Sequence, residues 1–320
     1  NLLNRPISHP RSAIAVMNLL QQHRGPDGYG EWIRDDSTVG LGHRRQNIIG
    51  ISSEAAQPMT DGNGNWIVYD GKIYNYRELR KELGETLFRT TSDTEVILHS
   101  YEQWRKSCVN RFRGMFSFAI WNETRRTLFC ARDRFGIKPF YYALVDDILY
   151  FSSEIKALLP FLPDIETDVD GLKDYLTFQF CLGGKTLFVG VNELPPAHLL
   201  IIRDGNVKVE KYWEVYYSLD FDHTEKYFQD RLESLVSESV SLHMQSDVPV
   251  GAYVSGGLDS STIASLAAKL VQKNEMIGFN GRFKEFGSAF DESDYAKAVA
   301  HYSGFDLKIR DIHCNDFLEH

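Results

Sequence analysis

Cysteines are few in this chain, and no two of them are close in sequence. The 320 residues contain four, Cys108, Cys130, Cys181 and Cys314, and no Cys-x-x-Cys spacing occurs. A zinc site or a disulfide framework requires more numerous or more closely spaced cysteines. We therefore expect buried thiols in a reducing compartment, and a cytoplasmic protein.

Long apolar runs and an excess of basic residues are also missing. No stretch of 18 apolar residues and no signal-type segment is present, so we expect no membrane association. Lys and Arg number 35 against 44 Asp and Glu, which gives a formal net charge of −9 and predicts no nucleic-acid partner. The composition, 43% hydrophobic and 25% charged, is that of a globular protein, and the length favours two domains.

The sequence has no Gly-Lys-Ser/Thr phosphate loop, but a different phosphate-type segment is present at 246–261. A strand-like run ends in two glycines, and a helical stretch begins directly after them. Glycines let backbone amides approach an anion, and the helix start adds unpaired amides. The residues of this segment that we predict to hold phosphate are Ser255, Gly256, Gly257, Asp259, Ser260 and Ser261. Asp259 is also placed to reach a magnesium ion carried by the phosphates. The alternative is an ordinary glycine turn with a serine cap.

Short strands dominate the chain up to about residue 210. Strands are predicted at Asn65–Asp70, Met115–Asn122, Thr127–Arg132, Ile148–Ser152 and Leu199–Arg203. Helices are predicted at Ser12–His23, Tyr76–Leu83, Asp93–Trp104, Ser153–Leu159 and Val169–Phe178. Many strands with a few helices indicate a layered α+β domain.

Strands and helices alternate in the remainder of the chain. Strands are predicted at 250–254, 275–280 and 306–310, and helices at 224–244, 261–272 and 291–303. This alternation predicts a parallel sheet with helices on both faces, and phosphate bound at the carboxyl ends of its strands. The join between the two domains is expected within 204–219.

The first domain contains the parts of an amino-acid pocket. Arg45 can pair with a carboxylate, Asp93 with an ammonium, and the glycine corner at 70–75 can offer amides to an oxyanion. Ser92 and Glu95 have the spacing of a helix capping box. Each feature also has a simpler explanation as a helix cap, a hairpin turn or a surface charge.

Taken together, these segments resemble the glutamine-dependent asparagine synthetase family over nearly the whole chain. The matching segments are 24–27, 43–45, 57–59, 70–75, 92–95, 114–119, 132–139, 153–158, 194–196, 212–213 and 255–261. The resemblance implies a glutaminase domain of the N-terminal-nucleophile type over 1–210. It also implies the N-terminal part of a parallel-sheet ATP-pyrophosphatase-type domain over 211–320. Members release ammonia from glutamine and pass it to an adenylated carboxylate, typically β-aspartyl-AMP.

The resemblance also implies which residues bind the substrates. Glutamine-binding residues fall at Arg45, Gln46, Asn47, Ile48, Ile49, Asp70, Gly71, Lys72 and Asp93. ATP and pyrophosphate contacts fall at Val254, Ser255, Gly256, Gly257, Asp259, Ser260, Ser261 and Gly281. The implied cofactors are ATP and Mg²⁺, the other substrates are glutamine and aspartate or another carboxylate, and the implied assembly is a homodimer.

The glycine corner departs from the family pattern. Members often have Asn-Gly-Glu where this chain has Asp70-Gly71-Lys72. An ionised Asp70 cannot donate to an oxyanion as an asparagine amide does. Lys72 reverses a charge near the amine of the substrate.

The family nucleophile is an N-terminal cysteine, and none of the four cysteines here can replace it. We expect a short leading segment that carries this cysteine. The sequence ends at His320, before the family's later nucleotide and aspartate contacts. We therefore expect that this polypeptide alone does not complete the synthesis.

Two other functions stay open at this stage. One is a related ATP-dependent amide ligase, of the β-lactam synthetase or peptide cyclase type, with an inactive glutaminase half. The other is a non-catalytic interaction module, against which the spacing at 255–261 argues. Pyrophosphate release from ATP with aspartate distinguishes the ligases from the module, and a requirement for ammonia in place of glutamine indicates an inactive glutaminase.

Overall fold

The structure is a computed structural model that describes residues 1–46, 55–246, 248–271, 276–287 and 291–317. The chain divides into two compact units, Asn1–Tyr217 and Ser218–His320. No helix of the described residues has the length and apolar character that crossing a membrane requires.

The described residues form seven α-helices and fourteen strands. The α-helices are α1 (Pro10–Leu20), α2 (Tyr76–Leu83), α3 (Asp93–Trp104), α4 (Val169–Phe178), α5 (Glu225–His243), α6 (Leu258–Ala268) and α7 (Ser293–Ser303). The strands of the first unit are β1 (Gly28–Ile33), β2 (Gly40–Arg45), β3 (Met59–Thr60), β4 (Asn65–Ile73), β5 (Gly114–Asn122), β6 (Thr127–Arg132), β7 (Tyr141–Val145), β8 (Ile148–Ser152), β9 (Val191–Glu193), β10 (His198–Arg203) and β11 (Asn206–Lys211). The strands of the second unit are β12 (Gly251–Tyr253), β13 (Ile277–Arg282) and β14 (Asp306–Asp311).

A six-stranded antiparallel sheet forms the centre of the first unit, in the order β11-β10-β6-β5-β4-β3. Successive side chains point to opposite faces of a strand, so this sheet has two cores. On one face, Ile67 and Phe118 pack with residues of α3 such as Val96. On the other face, Val68 and Trp121 pack with residues of the smaller sheets β1-β2 and β8-β7-β9. Helix α1 packs on the β1-β2 pair. The predicted layered α+β architecture is confirmed.

The second unit contains a parallel sheet in the order β12-β13-β14. Helices α5, α6 and α7 contribute to one apolar cluster with Val254 and Ala252. The opposite face exposes Tyr253, Ile277 and Phe279, which are 89%, 38% and 43% exposed. The parallel sheet is as predicted, but helices on both faces are not found among the described residues. The strand order β12-β13-β14 advances in one direction, and crossovers between parallel strands are right-handed as a rule, so α6 and α7 are expected on the same side of the sheet.

Two local predictions were wrong. The expected helix over Ser153–Leu159 is instead a pair of short 3-10 turns at Ile155–Ala157 and Leu159–Phe161. Pro160 has no amide hydrogen and cannot continue a longer α-helix. The cysteines are all free thiols, but only Cys108 and Cys130 are buried, and Cys314 is exposed.

Candidate functional site

The first unit contains a cavity of about 540 Å³, a volume typical of small-molecule sites. Strands β2, β4, β5 and β8 line it, together with α1 and the start of α3. The cavity brings together six of the nine residues predicted to bind glutamine, which are Arg45, Gln46, Asp70, Gly71, Lys72 and Asp93. The other three, Asn47, Ile48 and Ile49, lie outside the described residues.

Gly71 gives β4 its corner at the cavity wall. Its φ is +155°, in the region that L side chains rarely adopt. A Cβ atom at this position would lie 2.3 Å from the Met115 carbonyl oxygen and 2.8 Å from Phe116 Cα on β5. Only glycine therefore lets β4 and β5 pack this closely where Asp70 and Lys72 enter the cavity.

Two cations hold the Asp70 carboxylate. Arg24 Nη2 donates to Asp70 Oδ2 at 2.7 Å, and Lys138 Nζ lies 2.8 Å from Asp70 Oδ1. Burial by itself raises the pKa of Asp70, but the charges and hydrogen bonds of Lys138 and Arg24 outweigh it, so the pKa lies below its usual value. Arg24 also donates to Glu154 Oε1 at 3.1 Å through Nη1. Asp70 is thus an ionised hydrogen-bond acceptor.

The sequence did not identify Lys138 or Arg24 as partners of Asp70. Lys138 lies in segment 132–139 and Arg24 in segment 24–27, and both segments carried the family resemblance. This resemblance was the sequence signal that could have identified the two residues as part of the site. The segment around Lys138 is held by Asp133, which is 1% exposed. The carboxylate of Asp133 accepts four backbone N–H groups, those of Phe116, Phe135, Ile137 and Lys138, at 3.0–3.2 Å.

Asp93 begins α3 and is buried at the cavity wall. Its Oδ2 atom accepts from the Tyr69 hydroxyl and from the Ile73 amide, each at 2.9 Å. Burial raises the pKa of Asp93 above its usual value, although these two hydrogen bonds and the charge of Lys72 act in the opposite direction. Asp93 is therefore fixed in position against the β4 corner.

The predicted capping box at α3 is only half correct. Ser92 Oγ accepts from the Thr94 amide at 3.0 Å, as an N-cap does. The Glu95 carboxylate accepts from the amides of Arg89 and Thr90 at 2.8 and 2.7 Å. Glu95 therefore binds the segment that leads into α3, at Arg89 and Thr90, and does not bind the amide of Ser92 as a capping box requires.

His43 is a cavity residue that the pocket prediction did not include. Its Nε2 atom lies 3.1 Å from the Tyr69 carbonyl oxygen, so Nε2 donates. Burial lowers the pKa of His43 to about 4, and the ring is neutral at neutral pH. Its Nδ1 atom is buried and has no partner among the described residues. The nearest sequence signal was the matched segment 43–45.

In the second unit, the predicted phosphate segment connects β12 to α6. Val254 is 1% exposed, its amide donates to the Phe279 carbonyl at 2.8 Å, and its carbonyl accepts from Asn280 Nδ2 at 2.8 Å. Gly281 follows Asn280 in β13. Since carboxyl ends of parallel strands meet at one edge, Gly281 and Ser255 lie at the same edge of the sheet.

Hydroxyl groups and glycines shape the loop itself. Ser255 Oγ lies 2.9 Å from Ser260 Oγ and accepts from the Gly257 amide at 3.2 Å. Gly256 has a φ of +96°, and a Cβ atom there would lie 2.6 Å from Tyr295 Cβ. The α6 N-cap, Gly257, provides no side-chain cap to the first amides of the helix.

The remaining loop residues carry oxygen atoms. Asp259 is exposed in the first turn of α6, and Ser261 Oγ is buried without a partner among the described residues. A carboxylate beside hydroxyl groups suits a hard cation such as Mg²⁺. No group of three or more His, Cys, Asp or Glu in the described part of the chain is placed to hold a metal ion.

Two family models match successive parts of the chain. The first of them places the chain in the class of the glutamine amidotransferases. The chain belongs to the glutamine amidotransferase domain family, whose model matches residues 4–213. The asparagine synthase model matches residues 231–320. Together the two matches confirm the resemblance to the glutamine-hydrolysing asparagine synthetase family.

Two glutamine-hydrolyzing asparagine synthetases and one solved amidotransferase are among the similar proteins. Glutamine-hydrolyzing asparagine synthetase 1 of Bacillus subtilis (strain 168) is 39% identical over 292 residues, which are 90% of this chain and 45% of that protein. Asparagine synthetase 3 of the same strain, also glutamine-hydrolyzing, is 40% identical over 263 residues, 78% of this chain and 41% of that protein. The chain thus spans less than half the length of these two relatives. The solved glutamine phosphoribosylpyrophosphate amidotransferase of B. subtilis, complexed with ADP and GMP, is 17% identical, with a TM-score of 0.49 over 95% of this chain and 64% of that chain.

Proposed function

We propose that this chain is the glutaminase domain (1–210) and the first part of the ATP-binding domain (211–320) of an asparagine synthetase-type ligase. The reaction uses glutamine-derived ammonia to attack β-aspartyl-AMP, and it yields asparagine, AMP and pyrophosphate. The observation that carries this proposal is the convergence of Arg45, Asp70, Gly71, Lys72 and Asp93 on one cavity. The partners are small molecules: glutamine, ATP and aspartate or another carboxylate.

In the glutamine site, each group has a distinct role. The Arg45 guanidinium pairs with the α-carboxylate, because its fork of N–H donors matches a carboxylate. Asp93 faces the α-ammonium. The Gly71 amide donates to the oxyanion that forms when the amide carbon is attacked, and this donor does not depend on the side chain at position 70.

We infer from the family resemblance that the nucleophile of this site is a cysteine. The Asn1 amine donates to the Thr38 carbonyl at 2.8 Å, and the Leu2 amide donates to the Asp147 carbonyl at 2.7 Å. The first residues therefore lie between the starts of β2 and β8, which both line the cavity.

In the ATP site, the loop at 255–261 receives the pyrophosphate. Attack of an ionised carboxylate on the α-phosphorus expels pyrophosphate, and it needs no general base. The amides of Gly256 and Gly257, with the hydroxyls of Ser255 and Ser260, donate to the oxygens where negative charge develops. Ammonia then displaces AMP from the acyl adenylate.

Three further assignments belong to this proposal. Asp259 would hold Mg²⁺ through the phosphates, and the ion would neutralise charge on the leaving pyrophosphate. The assembly is a homodimer, which light scattering at micromolar concentration tests. The compartment is the cytoplasm, which cell fractionation tests.

The test measures pyrophosphate release and asparagine formation by the full-length protein with ATP, magnesium and aspartate. Glutamine and ammonium chloride are compared as nitrogen sources. Arg45→Ala is expected to lower the glutamine-dependent rate selectively. Ser260→Ala is expected to lower both rates, because its hydroxyl belongs to the pyrophosphate loop.

Ser265→Ala is the matched control for Ser260→Ala. Ser265 lies on the same helix, and its hydroxyl pairs with that of Ser303 at 2.8 Å. Both rates are expected to persist in this variant. Absence of pyrophosphate release with aspartate and with every other amino acid offered would contradict the ligase assignment.

A further inference from the structure

Strand β4 extends past the end of β3, so part of its edge has no strand partner among the described residues. In this part of the chain β3 pairs only with Trp66 and Ile67 of β4, whereas β5 pairs with β4 along its whole length. The N–H and C=O groups of one residue in an antiparallel strand point to the same side, and alternate residues share that side. Tyr69 lies two residues after Ile67, so both of its backbone groups point to the edge that β3 does not cover.

Two side chains that line the cavity bind these backbone groups. Gln57 Oε1 accepts from the Tyr69 amide at 2.7 Å, and His43 Nε2 lies 3.1 Å from the Tyr69 carbonyl oxygen. Tyr69 is 5% exposed, and buried backbone groups need hydrogen-bond partners. The Gln57 side chain therefore provides the contact that β3 would provide if it were longer.

Gln57 also reaches the start of α3. Its Nε2 atom donates to Thr94 Oγ1 at 3.3 Å, and Thr94 follows Asp93 directly in the first turn of the helix. The Tyr69 hydroxyl donates to Asp93 Oδ2 at 2.9 Å. These contacts close a ring that contains Gln57, Tyr69, Asp93 and Thr94.

The position and the charge of Asp93 depend on this ring. Burial raises the pKa of Asp93, whereas the hydrogen bond from Tyr69 favours the ionised carboxylate. Without the Gln57 amide group, the Tyr69 N–H would be buried without that partner, and a new partner would require a shift of β4. Such a shift would move the hydroxyl group that binds Asp93.

We propose that Gln57 is a positioning residue, which holds Asp93 through Tyr69 and Thr94 in the place where it binds the α-ammonium of glutamine. This inference rests on the proposed glutamine site and deepens it. It assigns a role to a residue of the matched segment 57–59 that the family resemblance did not include among the glutamine contacts.

Binding of two ligands to the 320-residue chain tests the inference by isothermal titration calorimetry. L-Glutamine carries the α-ammonium, and glutaramate is the same molecule without the amine. The wild-type chain is expected to bind glutamine about tenfold more tightly than glutaramate. Gln57→Met keeps a side chain of similar length but removes both hydrogen bonds. It should lower the affinity for glutamine by about tenfold and change the affinity for glutaramate by less than about twofold, whereas a purely structural role would weaken both ligands equally.

Two variants of Thr94 keep the test valid if circular dichroism melting curves show that Gln57→Met does not fold. Thr94→Val keeps the shape of the side chain but removes the hydroxyl that accepts from Gln57, and it should lower the preference for glutamine by about threefold. Thr94→Ser retains a hydroxyl and should retain the preference. Gln103→Met is the matched control, because Gln103 is exposed on the same helix, and it should leave both affinities unchanged.

Asp93→Asn provides the reference for the ammonium contact. In the Asp93→Asn background, Gln57→Met should cause no further loss of the preference for glutamine, because both substitutions act on the same contact. An additional loss of the same size as in the wild-type background would show that Gln57 does not act through Asp93.

The outcomes distinguish this inference from the proposed function. If Gln57→Met and Thr94→Val weaken both ligands equally, or weaken neither, the inference is wrong and the glutamine site stands. If the wild-type chain binds glutamine no more tightly than glutaramate, Asp93 does not bind the ammonium and the inference is wrong as well. If neither ligand binds at millimolar concentration, both the inference and the glutamine site are wrong.

Discussion

Lys138 Nζ lies 2.8 Å from Asp70 Oδ1, and this ion pair joins two chain segments that are 68 residues apart. Asp70 is a side chain at the β4 corner, and Lys138 belongs to the loop that follows β6. The pair, with Arg24 on the other carboxylate oxygen, keeps Asp70 ionised in a largely buried position.

Replacing Lys138 by methionine is expected to destabilise the first unit at neutral pH. The substitution removes the charged hydrogen bond between Lys138 and Asp70, whose side chains are both less than a third exposed. The free energy of unfolding should therefore fall by about 2 kcal/mol. Because the pKa of Asp70 is lowered in the folded state, this contribution is present above the ordinary carboxyl pKa and is lost as pH falls through the folded value. Urea unfolding at several pH values measures it.

Lys106→Met provides the matched control for that experiment. Lys106 forms an ion pair with Glu210, but its side chain is 64% exposed. Its replacement should cost no more than about 1 kcal/mol. Equal losses for Lys106→Met and Lys138→Met would show that the ion pair of Asp70 contributes no more than a surface pair.

Gly71→Ala is expected to disrupt the corner of β4. The new Cβ atom would lie 2.3 Å from the Met115 carbonyl oxygen, on backbone that cannot easily move. Gly84→Ala is the control, since Gly84 also has a positive φ, +100°, but no atom lies within 4 Å of the place that its Cβ atom would take. Gly71→Ala should lower the free energy of unfolding by about 2 kcal/mol more than Gly84→Ala does. Similar losses would mean that φ strain alone explains the glycine at 71.

Gly256→Ala is expected to weaken binding of magnesium pyrophosphate by about tenfold or more. The added Cβ atom would lie 2.6 Å from Tyr295 Cβ and 2.9 Å from the Glu292 carbonyl oxygen, and it would displace the loop from α7. Gly287→Ala, at a φ of +92° with nothing within 4 Å, is the control for backbone strain. Calorimetric titration with pyrophosphate compares the two, and unchanged affinity in Gly256→Ala would argue against a phosphate role for this loop.

His43 is expected to stay neutral between pH 7 and pH 5. Burial lowers the pKa of His43 to about 4, whereas an unfolded histidine titrates at about 6.5. The unfolded state therefore binds more protons in this interval, and stability falls as pH decreases from about 6.5 toward 4. Nitrogen NMR of the ring detects the protonation state. A His43→Gln variant should show a shallower loss of stability over the same interval, and protonation of His43 at pH 6 would refute the assignment.

The described residues that the sequence predicted for glutamine binding share one cavity, whereas some strands that build this cavity were not predicted. Asp70, Gly71, Lys72 and Asp93 were identified because they match family segments, and all four lie at the cavity. The contacts of Asp70 with Arg24 and Lys138 could not be predicted, since they depend on how distant segments pack.

Local pattern was also insufficient for some elements. Strands β1 and β2 contain Gly28, Gly30, Gly40 and Gly42, which give little strand signal, so neither strand was predicted. They form through mutual pairing and packing of α1, which are tertiary effects.

The carboxylate of Asp133 accepts four backbone amides, and it therefore fixes the path of the loop before any ligand enters. The backbone at Lys138 is therefore already ordered, and it loses little conformational entropy when a ligand binds. An arriving ligand then meets a rigid wall, and more of its contact energy is retained as affinity.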